Sequence, residues 1–466
     1  MTAGTKVMKF GGTSLGSAER IARVSQIIRD RRAAGPLLVV VSAMGETTDT
    51  LVEAARAASQ GEIGRWRALA DQLEQDHLHC AQAVAPELEA EQVRSHLLTH
   101  LATLRGVCDG ISRRGLVTAQ EMDSISSLGE LMAAVLVASS LRALGLPAES
   151  VDSALLIVTD DHFGQAAPLL NPSRDRIQST LKPMLEVGII PVVTGFRAET
   201  AEGQCTTLGR GGSDYTATIL GTLLPADEIW IWTDVDGVMT ADPRLVPHAR
   251  VIPELSYREA IELAFFGAKV LHPNSMELPH RFGVPVRIRN TLAPERDGTT
   301  IAPGVRNAPG VRAIAHTSDA RLFTVGGADG VSFTKVATSV LRALDEERVP
   351  TLMVTQSSAD NVFCFAVDGQ HGLRMGAHLE RLRDLESSAS GLGSIDETPR
   401  VGIVVVVGEA MRGTPGIAAR LFGALAERHI NVVAISQGSS ELSVSAAVLA
   451  DELTEAVVAI HHEFAL

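Results

Sequence analysis

KVMKFGGTS, residues 6–14, joins a short apolar strand pattern to two glycines and two small hydroxyl residues. Lys9 would aim an ammonium beyond the end of the strand, while Gly11 and Gly12 let backbone N–H groups turn towards an anion without a Cβ in the way. Ser17 is a candidate N-cap for the amphipathic helix AERIARVSQIIRDRR that follows. The stretch therefore predicts a phosphate-handling loop between a strand and a helix, although the GxxxxGKS/T pattern of a Walker A loop is absent.

This strand is the first of several β-rich runs that alternate with helical stretches from Lys6 to about Asn290. The others are PLLVVVSA, IIPVVTGF, EIWIWTD and VPVRIRN. Such alternation requires crossover helices and predicts an α/β fold with a mainly parallel sheet covered on both faces. Residues 51–114, rich in Ala, Leu, Glu and Gln, predict consecutive helices inserted into that pattern. The turn-rich TLAPERDGTTIAPGVRNAPG after Asn290 predicts a connector.

The composition bounds the possible partners. A length of 466 residues exceeds what one core usually supports, so two or three domains are expected. The 41 basic and 55 acidic residues give a net charge of −14, which disfavours nucleic acid or an anionic membrane as a partner. The longest apolar runs fall below the roughly 18 residues of a membrane span, and the N-terminus lacks a signal-peptide pattern, so we expect a cytoplasmic protein. Four cysteines without a CxxC pair predict buried free thiols rather than disulfides or a zinc site.

The last third of the chain contains an internal repeat. VTQSSADNVFCFAV, with Gln356, recurs as ISQGSSELSVSAAV, with Gln437 at the same place. Each copy has the pattern of a strand, a helix, two strands that flank the glutamine, and a helix. The polar ESSASGLGSIDETP between the copies predicts a flexible linker. We therefore expect one large domain over residues 1–300 and two modules over residues 312–385 and 398–466.

A second glycine-rich loop, GRGGSDYTA at residues 209–217, also precedes an apolar helical stretch. Glycines, a capping Ser213 and a helix N-terminus can together bind an anion, and Arg210 offers a planar fork suited to a carboxylate or phosphate. By itself the loop could equally be a structural turn with Arg210 in solvent. Together with the loop after Lys9, it predicts a second anion site.

Two later segments, WTDVDGVMTADPR and FGAKVLHP, point to a nucleotide. A strand end with small residues can admit an adenine or ribose, and Arg244 and Lys269 can meet phosphate oxygens. Either segment alone is also common as a structural turn. Their succession in this order is what favours a nucleotide site.

These loops, taken in order, resemble the amino acid kinases, and most of all the aspartate kinases, over the first 290 residues. The resemblance implies the carbamate kinase-like fold of that family, L-aspartate as substrate, and ATP with Mg²⁺ as cofactors. It implies that Lys9 stabilises the transferring phosphoryl group, that Asp214 orients Lys9, and that Arg210 holds the substrate α-carboxylate. Glu130, in SLGELMAA, matches the family's Gly-Glu pair and would take the substrate ammonium. Ala133 stands where relatives usually have serine.

The resemblance assigns the other contacts to two groups. The implied substrate contacts are Thr48, Glu130, Phe196, Arg210 and Ser213. The implied ATP contacts are Lys9, Gly11, Gly12, Ser14, Ser42, Thr233, Asp234, Met239, Arg244 and Lys269. Met239 occupies a position that is often tyrosine in relatives, which should change stacking on the nucleotide more than the chemistry.

The repeated modules resemble ACT domains, which bind amino acids at the interface of paired modules. This implies feedback by threonine or lysine and a homo-oligomer, at least a dimer. Gln356 and Gln437 are candidate effector ligands, although a strand-end glutamine can equally be structural. The kinase half of the fused aspartate kinase/homoserine dehydrogenase enzymes is most similar, but with no Rossmann fingerprint we expect no dehydrogenase half. The alternatives are a kinase for another small acid, such as glutamate or acetylglutamate, and an amino acid sensor with an inactive kinase domain.

Overall fold

The computed structural model describes residues 4–267, 271–304, 310–357, 361–385 and 390–466. Backbone contacts divide the chain into two compact units. The first unit comprises the described residues of Met1–Gly237, Pro253–Tyr257 and Val270–Val305. The second comprises those of Val238–Ile252, Arg258–Lys269 and Arg306–Leu466. The limits 1–300, 312–385 and 398–466 stay predictions.

The first unit is built on a mainly parallel sheet, as the alternating pattern predicts. Its strands in chain order are β1 (Lys6–Phe10), β2 (Leu37–Val41), β3 (Ala148–Val151), β4 (Val158–Thr159), β5 (Ile190–Thr194), β6 (Arg197–Thr200), β7 (Cys205–Thr207), β8 (Glu228–Thr233), β9 (Glu254–Leu255), β10 (Val286–Asn290) and β11 (Thr299–Ile301). Eight of them form one sheet in the order β3-β5-β2-β1-β8-β10-β11-β9, in which only the β10/β11 pair is antiparallel. A small second sheet has the order β4-β6-β7.

Helices cover this sheet. They are α1 (Gly12–Leu15), α2 (Ala18–Arg32), α3 (Thr47–Ser59), α4 (Ile63–Val84), α5 (Ala90–Arg114), α6 (Ala119–Ser126), α7 (Leu128–Ala143), α8 (Leu170–Glu186), α9 (Gly212–Leu223) and α11 (Pro273–Phe282). The helix α10 (Tyr257–Phe265), which precedes α11 in the chain, belongs mostly to the second unit. The Ser17 side chain accepts a hydrogen bond from the Arg20 backbone N–H, which confirms it as the cap of α2. Consecutive helices α3, α4 and α5 also fill residues 51–114 as predicted, and they share one apolar core with β1, β2 and α7.

The stretch Ala119–Ala143 is long and apolar enough to cross a membrane by length and composition alone. In the structure it is divided between α6 and α7, and 89% of its most apolar window is buried inside the fold. Burial of this kind is the pattern of a core helix. Its apolar residues, among them Leu128, Met132 and Leu136, belong to the core of the first unit.

The second unit contains a six-stranded antiparallel sheet flanked by helices. Its elements are β12 (Ala313–Gly327), α12 (Phe333–Glu346), β13 (Met353–Ser357), β14 (Val362–Asp368), α13 (Gly369–Leu385), β15 (Leu392–Val407), α14 (Ile417–Glu427), β16 (Ala434–Gln437), β17 (Ser443–Leu449) and α15 (Leu453–Glu463). The strand order is β13-β14-β12-β15-β17-β16. The two long strands β12 and β15 pair with each other in the middle, so each contributes one half to each repeated module.

The structure corrects three details of the sequence predictions. The predicted linker ESSASGLGSIDETP is wrong for residues 392–399, which form the first half of β15. Leu392 is buried in the first module's core and Ile395 pairs with Val325, so this polar segment completes the β12 ladder. Similarly, β11 lies inside the predicted connector after Asn290 and pairs with β10. Gln356 is the fourth of the five residues of β13 and Gln437 is the last residue of β16, so each lies at the end of a strand rather than between two strands.

Candidate active site

Four neighbouring parallel strands of the first unit, β5, β2, β1 and β8, end at the same edge of the sheet. The Gly11 N–H donates to the Trp232 carbonyl at 3.2 Å, and the Ser42 N–H donates to the Phe10 carbonyl at 3.1 Å. The Gly195 N–H donates to the Val41 carbonyl at 2.8 Å. These bonds hold the loops after the four strands side by side, at the carboxyl edge where ligands bind in open α/β sheets.

Lys9 and Asp214 meet at this edge. Lys9 is the fourth residue of β1 and is 8% exposed. Its Nζ lies 2.5 Å from Asp214 Oδ1, and Asp214 is in the first turn of α9. A carboxylate in the first turn is favoured by the helix dipole, so the ammonium is held beside a helix N-terminus. The two glycine-rich loops predicted as anion sites are therefore adjacent.

Two glycines allow the loops to approach this closely. A Cβ on Gly12 would lie 2.9 Å from the Ala43 carbonyl oxygen, so the loops after β1 and β2 could not touch with a larger residue. Gly211, the N-cap of α9, has a φ of 69°, which L-residues rarely adopt. A Cβ there would lie 2.4 Å from His272 Cβ. Their sequence positions predicted turns, and the structure gives the reason for glycine at each.

Glu130 is buried in the first turn of α7 and is 3% exposed. Burial raises its pKa from 4.5 to about 8, opposed by a backbone hydrogen bond from Ala43 and by the charges of Lys9 and Arg197. Its Oε2 has no hydrogen-bond partner within the described parts of the chain. A buried carboxyl with an unsatisfied oxygen near a lysine is well suited to receive a cationic ligand group. Ala133, which replaces the usual serine, is fully buried in the core and gives Glu130 no polar support.

Phe196 follows β5 with a φ of 65°, a conformation that is uncommon for a bulky residue. Its N–H donates to Thr216 Oγ1 at 3.0 Å, and its carbonyl accepts from the Leu208 N–H at 2.9 Å. The helix α9 and the strand before it thus hold the strained backbone in place. Strain of this kind clusters at functional sites, which supports the predicted place of Phe196 beside the substrate.

The other predicted substrate residues surround this edge with differing exposure. Arg210 is exposed and forms no ion pair with a residue that the structure describes. Ser213 is buried in the first turn of α9, and Thr48 is half-buried in the first turn of α3. Burial and then the charge of Arg210 lower the pKa of His272, which is therefore neutral near pH 7.

The predicted ATP residues divide between the two units. Ser14 Oγ lies 2.7 Å from Thr291 Oγ1 in the first unit, and Thr233 Oγ1 donates to Asp234 Oδ1 at 3.2 Å. Met239 and Arg244 belong to the second unit, where Asp242 accepts hydrogen bonds from the Arg244 side chain. Lys269 lies outside the described residues.

Both candidate effector residues, Gln356 and Gln437, are exposed. Gln437 borders a cavity of about 130 Å³ in the second module, together with Met411, Thr414 and Glu441. This volume is smaller than the roughly 300–1,000 Å³ of drug-sized ligand sites, so it could hold only a small ligand or part of one.

Sequence reasoning missed two groups that support the site. The buried Asp123 carboxylate accepts from the Gly164 N–H, the Thr207 N–H and the Thr207 hydroxyl, at 2.8, 3.0 and 2.8 Å. It fixes the strand that leads into the second glycine-rich loop. Arg197 pairs with Asp152 and donates to Ser127 Oγ at 2.9 Å, directly before α7. Neither has a sequence signal, because the partners named here are 41 or more residues away and recognisable only after folding.

Comparison with protein families identifies the class of protein. A family model described as the amino acid kinase family matches residues 4–290, and an ACT domain model matches residues 404–464. The chain therefore belongs to the amino acid kinase family. It is 33% identical over 476 residues to the aspartokinase of Mycolicibacterium smegmatis, covering 99% of this chain and 96% of that protein, which places it among the aspartokinases.

Longer relatives match equally well. The bifunctional aspartokinase/homoserine dehydrogenase 2 of Arabidopsis thaliana is 33% identical over 470 residues, covering 99% of this chain. That alignment covers 50% of the plant protein, so the chain spans about half the length of such curated relatives.

Two solved structures share the fold. Aspartokinase III of E. coli in complex with aspartate and ADP, in its R-state, superposes with a TM-score of 0.87 at 26% identity, covering 99% of this chain and 100% of that one. The same enzyme with lysine and aspartate, in its T-state, gives a TM-score of 0.77 at 27% identity, covering 98% and 99% of the two chains. The α/β and ACT folds predicted from the sequence are thus confirmed.

The raised pKa of Glu130 predicts a pH-dependent stability cost. The folded state binds this proton up to about pH 8, whereas the unfolded chain releases it near 4.5, so stability falls as the pH rises through that window. Glu130→Gln should therefore leave the melting temperature unchanged near pH 5 and raise it by a few degrees above pH 8. Thermal melts from pH 5 to 9 measure this difference.

Glu91→Gln, at an exposed position of α5, is the matched control and should show no such trend. A Glu130→Gln difference that is constant across the pH range would contradict the assignment of a buried, protonated carboxyl.

Proposed function

We propose that the protein transfers the γ-phosphoryl group of ATP to the side-chain carboxylate of L-aspartate, giving ADP and 4-phospho-L-aspartate, the first step towards lysine, threonine and methionine. The observation that carries this proposal is the gathering of Lys9, Asp214 and Glu130 at the carboxyl edge of the sheet. The likeness to an enzyme solved with aspartate and ADP supports it. We further propose that the protein acts in the cytoplasm.

Positioning and charge neutralisation would supply most of the catalysis, because phosphoryl transfer asks little covalent chemistry of the protein. Lys9 would meet the negative charge that spreads over the transferring group, and Asp214 would hold the ammonium in place. The Gly12 backbone N–H would face the phosphates, whereas the Gly11 N–H is donated to the Trp232 carbonyl and orders the loop. The attacking carboxylate is already ionised near pH 7, so the reaction needs no general base.

Two residues would bind the charged groups of the substrate. Glu130 would ionise to receive the aspartate ammonium, because a cation beside it lowers the pKa that burial has raised. Arg210 is exposed and can offer its planar fork to the α-carboxylate. Phe196, held in its strained conformation, would lie against the substrate backbone.

Mg²⁺ would accompany ATP and offset charge on its phosphates. Among the described residues no cluster of three or more His, Cys, Asp or Glu side chains could hold a metal ion. We expect Mg²⁺ to be bound mainly by phosphate oxygens and water.

The test is hydroxamate formation from L-aspartate, hydroxylamine and ATP by the purified protein. We expect ATP-dependent aspartyl hydroxamate, with glutamate and acetylglutamate at least ten-fold poorer because Glu130 and Arg210 fix the length between the ammonium and the reacting carboxylate. If another acid forms hydroxamate faster than aspartate, that acid is the substrate. If every acid is inert, the protein is a sensor rather than a kinase.

We also propose that an amino acid, lysine or threonine, inhibits through the ACT region of a homo-oligomer, at least a dimer. The aspartokinase III structure with lysine supports an effector of this class. Apolar side chains are exposed on the two outer strands of the six-stranded sheet, with Val354 at 42% and Ile435 at 46%, as expected of surfaces that pair with another copy.

Inhibition can arise only if the effector binds one conformation better than another. Gln437→Ala should therefore raise the inhibitor concentration needed for half-inhibition by about five-fold, the loss of one hydrogen bond, and leave the uninhibited rate unchanged. Inhibition curves with lysine and with threonine test the effector. Analytical ultracentrifugation of the wild type tests the oligomeric state. A monomer, or a Gln437→Ala curve identical to that of the wild type, would count against them.

A further inference from the structure

Residues 238–252, which we call the nucleotide loop, carry two of the predicted ATP contacts but fold as part of the second unit. The loop closes on itself. The Thr240 N–H donates to the Arg250 carbonyl at 2.9 Å, and the Ile252 N–H donates to the Val238 carbonyl at 2.8 Å. Its conformation is therefore set by what the second unit presents to it.

Thr240 is the point where the nucleotide loop is fixed. It is 8% exposed, and its carbonyl accepts from the Ile314 N–H of β12 at 2.8 Å. Its hydroxyl accepts from the Arg250 N–H at 3.1 Å and lies 3.1 Å from His461 Nε2 on α15. Because the Arg250 N–H occupies one lone pair, the hydroxyl proton can be donated to the imidazole nitrogen.

His461 is suited to accept that proton. It is 6% exposed on the last turn of α15, and burial, followed by the charges of Arg250 and His248, lowers its pKa. The ring is therefore neutral near pH 7, and in the tautomer protonated at Nδ1 the Nε2 atom can accept the Thr240 proton. Arg250 also donates to the Ala465 carbonyl at 3.2 Å, so the loop contacts α15 at His461 and the residues just after α15 at Ala465.

The two sides of the nucleotide loop differ. On its inner side, Ala241 and Val246 are buried in the same apolar core as Val457 and Ile460 of α15. On its outer side, Arg244 is exposed and Met239 is half-exposed. Met239 and Arg244, the side chains predicted to contact ATP, therefore extend from a backbone segment whose inner side packs in the same core as α15.

We propose that His461 is a positioning residue for nucleotide binding. Through Thr240 it holds the nucleotide loop in the conformation that presents Met239 and Arg244. The C-terminal helix of the ACT region would then set nucleotide affinity without touching the nucleotide. The proposal rests on the proposed function in taking residues 238–252 as an ATP contact. It gives the second unit a direct mechanical connection to one substrate.

The experiment is titration calorimetry of the full chain with ADP, together with steady-state KM values for ATP and aspartate. His461→Ala removes the hydrogen bond to Thr240 and should weaken ADP binding and raise KM for ATP by about five-fold. Thr240→Val removes that bond together with the one from the Arg250 N–H, so its losses should be at least as large. KM for aspartate should change less than two-fold. His461→Gln, which can still accept at the Nε2 position, should restore ADP affinity to within two-fold of the wild type.

His462→Ala is the matched control, since His462 is the next residue on the same helix and is exposed. Unchanged ADP affinity in His461→Ala would overturn the proposal, as would equal losses for ATP and aspartate or an equal loss in His462→Ala. If His461→Ala does not fold, the isosteric Thr240→Val decides by the same criteria. A wild type that binds ADP but forms no hydroxamate refutes the proposed function alone, and the ADP titrations of the variants still decide this one.

Discussion

The buried ion pair between Lys9 and Asp214 is the interaction on which the rest of the site depends. Taking both charges out of water costs free energy, which only close contact and good geometry offset, and loss of either partner would leave an unpaired charge in the interior. The pair joins the end of β1 to the start of α9, the two places where the chain has its glycine-rich loops. It also places a fixed ammonium near the neutral Glu130 carboxyl, so one site holds groups for an anionic phosphate and a cationic amine.

The parallel sheet and the two glycine-rich loops could be predicted because each depends on residues that are close together in the sequence. The strand that carries Lys9, the glycines after it and the Ser17 cap lie close together in the sequence, and the alternation of β-rich and helical stretches predicts the parallel sheet. The conformation of Phe196, the support from Asp123 and the contact of Ser14 with Thr291 could not be predicted, since each depends on residues far apart in sequence. The prediction of a flexible linker failed for residues 392–399. Their composition is typical of a linker, but pairing with β12 makes them part of β15.

The division of the chain into two units does not follow the order of the sequence. Residues 238–252 lie in the sequence between strands of the first unit, yet their apolar side chains complete the core around α15. Packing and hydrogen bonds within the second unit can therefore change the conformation of a segment that carries predicted ligand contacts. The predicted ATP contacts Met239 and Arg244 therefore belong to the same unit as the ACT region.

A double-mutant cycle on Lys9 and Asp214 tests the central claim most directly. Lys9→Met, Asp214→Asn and the double variant would be compared with the wild type by kcat/KM for ATP, with circular dichroism to confirm folding. Loss of Lys9 should cost on the order of 10²- to 10³-fold. If Asp214 acts by holding Lys9, the double variant should be no slower than Lys9→Met within about two-fold, because partners that act as a unit are strongly non-additive. Losses that multiply, or a Lys9→Met enzyme that keeps its full rate, would contradict the account.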